Sequence, residues 1–314
     1  MKNQYVADIG DFGKYSLLRA FCKEGIAVGV NWYLTDKDES NDGKATQYLQ
    51  SGQLRHYEPA VFDALKEIND NPDKTIIDVQ NSGILPGARF YDAMLKPDGK
   101  PKERAEERKQ WFEKSIDALA DSELIFMDPD NGLLEAGDVG KLHAEKYVLV
   151  TEVEAYYNAG KNVVYYCHRG RRSLGAWLNY ISLMFERIPD ALPVVMTYRK
   201  GSSRSYIFLI HPEFYKRYRK ILDAFRSNWY RLFSEEYTNQ GNVAGKKVGE
   251  VLKLERSNGV TVSIQVRADG QVEIKSSDQP TRSSVMSIDY FCSRILYYQT
   301  NMQELTVSDL MQFL

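Results

Sequence analysis

"PVVMTYRKGSSRSYIFLI", residues 193–210, carries the pattern that sets the expected strand directions of the sheet. Two apolar runs, 193–198 and 204–210, are separated only by "RKGSS", short enough for a hairpin, so they are expected to lie antiparallel. Upstream, strand-like and helix-like segments alternate, the pattern of a parallel sheet. A parallel sheet that finishes in a hairpin carries one reversed strand.

Working outward, 11–21 reads as a helix with Phe12, Tyr15, Leu18 and Phe21 on one stripe, ended by Gly25. "IAVGVNWYL" (26–34) reads as a buried strand, and 35–45 as a polar loop of the kind that lines sites. Helices are expected at 44–50 and 59–69, the second introduced by Pro59, then a strand at 74–79 and a short helix at 87–95. A turn at 96–102 leads to a long charged helix, 103–119, and a strand at 123–127. Helix 145–158, strand 162–166 and helix 173–186 complete a Rossmann-like α/β domain over 1–240. After the linker-like "NQGNVAGKK", three alternating segments separated by Ser-Asn-Gly and Ala-Asp-Gly predict a three-stranded meander. With helices at about 283–299 and 307–314, it makes a small α+β domain over 245–314.

The 314 residues are 43% hydrophobic and 27% charged, an ordinary balance for a chain with a sizeable core. No window approaches the ~18 apolar residues of a membrane helix, and the first residues have no signal-like apolar stretch. Cys22, Cys167 and Cys292 are too dispersed for a zinc motif or a disulfide framework, so a cytoplasmic setting is expected. A net charge of −2 excludes a uniformly basic nucleic-acid glove. The cations nevertheless concentrate at 168–172, 198–204 and 215–231, interleaved with aromatics, which suits phosphate contact and base stacking by a nucleic acid or nucleotide. A solvated helix face with inward aromatics would look the same at 215–231.

"LIFMDPDNGLLE" (124–135) holds the strongest functional signal. A fully apolar strand delivers Asp128, Pro129, Asp130 and Asn131 to its carboxyl end, where open α/β sheets bind ligands. Pro129 stiffens the turn, Asn131 can donate and accept, and Gly132 permits close approach of a ligand. D-P-D-N-G is also a serviceable β-turn. His168 ends the apolar strand "NVVYYC" beside Arg169, as a capped loop histidine or as a proton or phosphate handler. In "DIGDFGKY" (8–15), Asp8, Asp11 and Lys14 share one side of a helix start, where Asp11 could cap and Lys14 could pair with it. No dinucleotide glycine loop, P-loop, G-x-S-x-G or H-E-x-x-H is present.

"NQYVADIGDFGKYSLLR", "VGVNWYLT" and "RKQWFEKSIDALADSELIFMDPDNGL" together resemble a group of uncharacterised bacterial and phage proteins with a D-P-D-N-G core. That group is distantly similar to class I S-adenosylmethionine-dependent adenine-amino methyltransferases of ribosomal RNA. The resemblance covers residues 1 to about 225. It implies a methyltransferase-type sheet, cofactor contact at Asp11 and Lys14, beside which Asp8 is a further candidate, and Asp128 and Pro129 at the first positions of the family's D-P-P-Y. Asp130 and Asn131 depart from that motif, because the aromatic that would stack on the base is missing. The leading expectation is an S-adenosylmethionine-dependent transferase acting on a nucleobase or nucleic acid. Its cofactor would lie near Asn31, Thr35, Asp36 and Asp78, and its acceptor at Asp128, Asp130 and Asn131, with His168 nearby. A Mg²⁺- or Mn²⁺-dependent phosphodiesterase using Asp128, Asp130, an acid from 36–42 and His168 is the second, and a non-catalytic nucleotide or protein binder the third.

Overall fold

The computed structural model describes residues 1–36, 43, 45–96, 98–134, 139–170, 172, 174–236, 251–255, 259, 261–266, 271–281 and 283–287. The elements in chain order are α1 (Ile9–Lys23), β1 (Val28–Asn31), α2 (Tyr48–Ser51), α3 (Pro59–Asn69), α4 (Ile76–Asn81), β2 (Arg89–Tyr91) and α5 (Pro101–Ala118). Then come β3 (Leu124–Met127), β4 (Gly132–Leu134), β5 (Tyr147–Leu149), α6 (Val150–Asn158), β6 (Asn162–His168), α7 (Leu174–Arg187), β7 (Leu192–Tyr198), β8 (Arg204–Ile210), α8 (Pro212–Trp229) and β9 (Phe233–Glu236). β10 (Val251–Glu255), β11 (Thr261–Val266), β12 (Gln271–Ser276) and β13 (Ser283–Ser287) follow.

The main sheet has seven strands in the order β2-β1-β3-β6-β8-β7-β9. β2, β1, β3 and β6 are parallel neighbours, and the hairpin strand β8 runs antiparallel between β6 and β7. The fold is therefore the Rossmann-like, mostly parallel sheet with a terminal antiparallel hairpin that the 193–210 stretch implied. The fully apolar strands follow from burial on both faces. In β3, Leu124 and Phe126 enter one hydrophobic core with Phe12, Tyr218 and Trp229, whereas Ile125 and Met127 enter the other with Trp111, Tyr156 and Trp177.

Several local expectations are corrected. The 74–79 segment is not a strand but the start of helix α4: the Thr75 hydroxyl accepts from Ile77 N–H and the Asp78 carboxylate accepts from Thr75 N–H at 2.6 Å, a capping box. The expected helix at 87–95 is instead edge strand β2, paired with Gly29–Asn31 and held by Phe90 stacking on Trp32 at 5.9 Å. β4 and β5, which form a small parallel pair beyond the D-P-D-N turn, and β9 were not foreseen. The meander is four-stranded, in the order β10-β11-β12-β13, because Ser283–Ser287 pairs with β12 where a helix was expected. Residues 288–299 and the helix expected at 307–314 lie outside the described residues.

Candidate ligand-binding site

Strand parity assembles the site. Along a strand, alternate side chains share a face. Phe126 belongs to the α1-side core, so Asp128, two residues on, continues toward that side, and it is buried at 3% exposure. Val164 and Tyr166 of β6 belong to the same core, and His168 continues their row. The antiparallel register sets Tyr166 opposite Tyr206 and His168 opposite Arg204 on β8. Asp128, Tyr166, His168, Arg204 and Tyr206 line one cavity of 390 Å³ over the ends of β3, β6 and β8, together with Asp8, Asp11, Lys14, Pro129, Asp130 and Asn131. Its size lies near the lower end of the ~300–1,000 Å³ usual for small-molecule sites, room for a nucleoside-sized group.

The wall opposite the strands is the start of α1. Asp8 is the N-cap, accepting from Gly10 N–H at 2.9 Å, so the cap is Asp8 and not Asp11. Asp8 also pairs with Arg204 at 2.8 Å, and that guanidinium lies so close to Gly10 that a Cβ there would have to displace it. One turn on, Lys14 bridges Asp11 at 2.7 Å and Asp128 at 2.8 Å, a buried triad tying α1 to the tip of β3. Asp11 in turn accepts from Ala7 N–H at 3.0 Å, which holds Ala7 at a φ of 69°, a left-handed conformation that costs about 1–3 kcal/mol. Asp130 meets the Met1 amine at 3.0 Å and Lys2 at 3.7 Å. Asn131 is fixed through its backbone, its N–H donating to the Lys146 carbonyl. Arg108 clamps that loop from behind, donating to the Ala144 and Tyr147 carbonyls and pairing with Glu152 at 2.7 Å.

Burial and partners set the protonation states. Burial raises the Asp11 carboxyl to about 6, against the opposing pull of Lys14. For Lys14, burial opposes the charge, but Asp11 and Asp128 outweigh it and hold the ammonium above its ordinary value. Burial, then the Arg204 guanidinium, lowers His168, so its imidazole is neutral at pH 7. Burial first of all pushes the Tyr166 and Tyr206 phenols up, and both stay protonated. The Tyr206 hydroxyl is buried beside the cavity without a hydrogen-bond partner among the described residues.

Of the residues singled out in sequence, Asp8, Asp11, Lys14, Asp128, Asp130, Asn131 and His168 converge on this cavity. The remaining four do not. Asn31 ends β1 on the opposite face, donating to the Tyr156 hydroxyl at 3.2 Å and accepting from Tyr33 N–H. Thr35 is buried with its hydroxyl 3.5 Å from Asp130, Asp36 is exposed, and Asp78 is spent on the α4 capping box instead of standing at a strand tip. Gly132, at a φ of 104°, makes its close approach to Cys167 and Tyr180 and not to the cavity. Tyr5, Tyr166 and Tyr206 are lining residues that the reading of single motifs missed, whereas Arg204 belongs to the 198–204 cation cluster expected to contact phosphate.

The crevice between the ends of β1 and β3, where the strand order reverses, is occupied by the chain itself. Met1 donates to the Tyr33 and Asp128 carbonyls at 3.0 and 2.9 Å and accepts from Thr35 N–H, and both Met1 and Lys2 are buried. A donor nucleoside at the β1 tip would need that space, so the residues expected there do not form a cradle for S-adenosylmethionine in this conformation. A divalent cation fits no better. Asp128 and Asp130 are matched by ammonium groups, and among the described residues no cluster of three or more His, Cys, Asp or Glu side chains is arranged to hold a metal. Residues 37–42, which were to supply a further acid, lie outside the described residues.

Comparison with protein-family models finds no match, and comparison with curated proteins finds no significant relative. Among the described residues no helix is long and apolar enough to cross a membrane.

Proposed function

We propose that this Rossmann-like fold recognises a nucleobase-bearing ligand, a nucleotide or a nucleic acid, in the cavity over β3, β6 and β8. The observation that supports this most is the joining of acid, amide and phenol groups in one nucleoside-sized space. The sequence lacks the aromatic of D-P-P-Y, but Tyr166, Tyr206 and Tyr5 reach the same cavity from other elements. A base with an exocyclic amine donates to Asp128 or to the Asn131 side-chain oxygen, while tyrosine rings cover its face. Lys14 holds Asp128 in place through Oδ2, at 2.8 Å.

S-adenosylmethionine-dependent transfer is the second reading. The observation favouring it is that Asp11 and Lys14, assigned to the cofactor by resemblance, line the same cavity as Asp8. When bound, that cofactor would supply an electrophilic methyl group, and Asp8, Asp11 and Lys14 are the residues that would hold it.

Calorimetric titration with adenosine 5′-monophosphate and with S-adenosylmethionine, on wild type and Asp128→Asn, tests both. The nucleobase reading expects saturable binding of the monophosphate that Asp128→Asn weakens at least fivefold. Binding of S-adenosylmethionine alone would move transfer ahead of it. Millimolar ligand with no heat from either would sink both.

A further inference from the structure

A second groove, of 510 Å³, opens along the later half of α1, between that helix, the turn before α3 and the end of α8. Counted along α1, Lys23 on its wall lies about 18 Å from Asp11 of the first cavity, at ~1.5 Å per residue. Its floor is a run of aromatic rings: His56 packs on Tyr57 at 4.2 Å, Tyr57 on Trp229 at 4.9 Å, and Trp229 on Phe225 at 5.1 Å. Trp229 and Phe225 are buried and anchor the run to the core, whereas His56 is exposed and Tyr230 stands at the rim, 39% exposed. The floor is thus rigid at one end and presents ring faces to solvent at the other.

The cations around it divide into two sets. Arg217, Arg219 and Arg226 of α8 are paired with Glu123, Asp223 or Glu235, and Lys23 is paired with Glu58 at 2.8 Å. Lys220 and Arg231, both lining the groove, have no carboxylate partner among the described residues. Arg231 lies instead over the Tyr230 ring, 5.5 Å from its centre, which joins a cation to a stacking face. Lys216, exposed and likewise without a carboxylate partner among the described residues, is one helical turn from Lys220 and extends the cation row beyond the groove. Glu24 is the lining carboxylate left without a cation among the described residues, an acceptor for a base amino group.

We infer that this groove holds a nucleotide unit of a single-stranded nucleic acid, its base on the Tyr57, His56 and Tyr230 rings and its phosphate on Lys220 and Arg231. Ring faces beside uncompensated cations match the two halves of a nucleotide. The open rim and the continuation to Lys216 fit a strand that runs on, rather than a free mononucleotide. This assignment does not depend on what occupies the first cavity.

The test is fluorescence anisotropy of a labelled thymidine decamer, with thymidine 5′-monophosphate as competitor. Tyr230→Ala is expected to weaken decamer binding at least fivefold. The Lys220→Ala/Arg231→Ala pair is expected to weaken it at least tenfold and to flatten the log–log salt dependence by about 1.4, at ~0.7 per phosphate contact on a single strand. These side chains are exposed, and unchanged thermal unfolding of the variants confirms that they fold. Lys109→Ala, which removes an exposed cation of α5 that lines neither cavity, is expected to leave decamer binding unchanged. The inference is overturned by no saturable binding, by binding indifferent to the groove variants, by equal loss in Lys109→Ala, or by a monophosphate that competes as tightly as the decamer binds.

Discussion

The tips of β1 and β3 are hydrogen-bonded neighbours in the sheet, yet their polar residues have opposite fates. Beyond β3, Asp128, Pro129, Asp130 and Asn131 all open on the cavity. Beyond β1, Tyr33 takes a φ of 45°, an outlier for an aromatic residue, and turns inward so that its ring meets Trp111 at 4.9 Å and its hydroxyl donates to Glu152 at 2.9 Å. Asn31 is consumed by Tyr156 and by the Tyr33 backbone. A polar residue at the carboxyl end of a strand is therefore a site candidate only when parity points it at the open face. At β1 the same edge of the sheet has been converted to structure.

The largest effect expected in breaking this contrast is on stability, from Lys14→Met. It strands Asp11 and Asp128 without their shared cation, and urea unfolding is expected to show a loss of about 3–5 kcal/mol. Arg108→Met, behind the Asn131 loop, is expected to cost about 3 kcal/mol, since Glu152 keeps the Tyr33 hydroxyl and Leu149 N–H as donors. Asn31→Ala leaves Tyr33 N–H without its acceptor, a loss of about 1–3 kcal/mol, whereas Asn131→Ala is expected to stay within about 0.5 kcal/mol of wild type. Equal losses at Asn31 and Asn131 would erase the distinction between the two tips.

The smallest effect lies in pH. Asp11 is raised to about 6 in the native state, so as pH falls through 6 toward the ordinary carboxyl value the native state takes up this proton first, and stability from this group rises. His168 is lowered, so as pH falls through its ordinary value of 6.5 the unfolded state is protonated first, and stability from this group declines. The two oppose each other over an overlapping range. Melting temperatures between pH 4 and 7.5 should therefore decline more steeply toward acid in Asp11→Asn than in wild type, and less steeply in His168→Gln.

Much of this was legible in the sequence, for physical reasons that can be named. The 193–210 hairpin and the apolar runs gave the sheet, because burial on both faces leaves few polar residues inside a strand. D-P-D-N-G and D-I-G-D-F-G-K-Y were recognisable as site material, although only folding shows Lys14 crossing to Asp128. Tyr166, Tyr206 and Arg204 could have been found by counting in twos from Val164 and back from Phe208, given the pairing of β6 with β8. "KTIIDV" misled because β-branched residues there start a helix capped by Thr75 and Asp78. Nothing local signalled that Met1 and Lys2 would fill the crevice at β1, since that depends on the path of the chain over the finished sheet.

The most direct test of the central claim is a paired calorimetric titration of Asn131→Ala and Asn31→Ala with adenosine 5′-monophosphate, below the melting temperature of both. If the tip of β3 is the ligand site and the tip of β1 is structural, Asn131→Ala loses about tenfold in affinity, the worth of one well-made hydrogen bond, and Asn31→Ala binds as wild type does. Affinity lost at Asn31 and retained at Asn131 would contradict the account and place the ligand over β1.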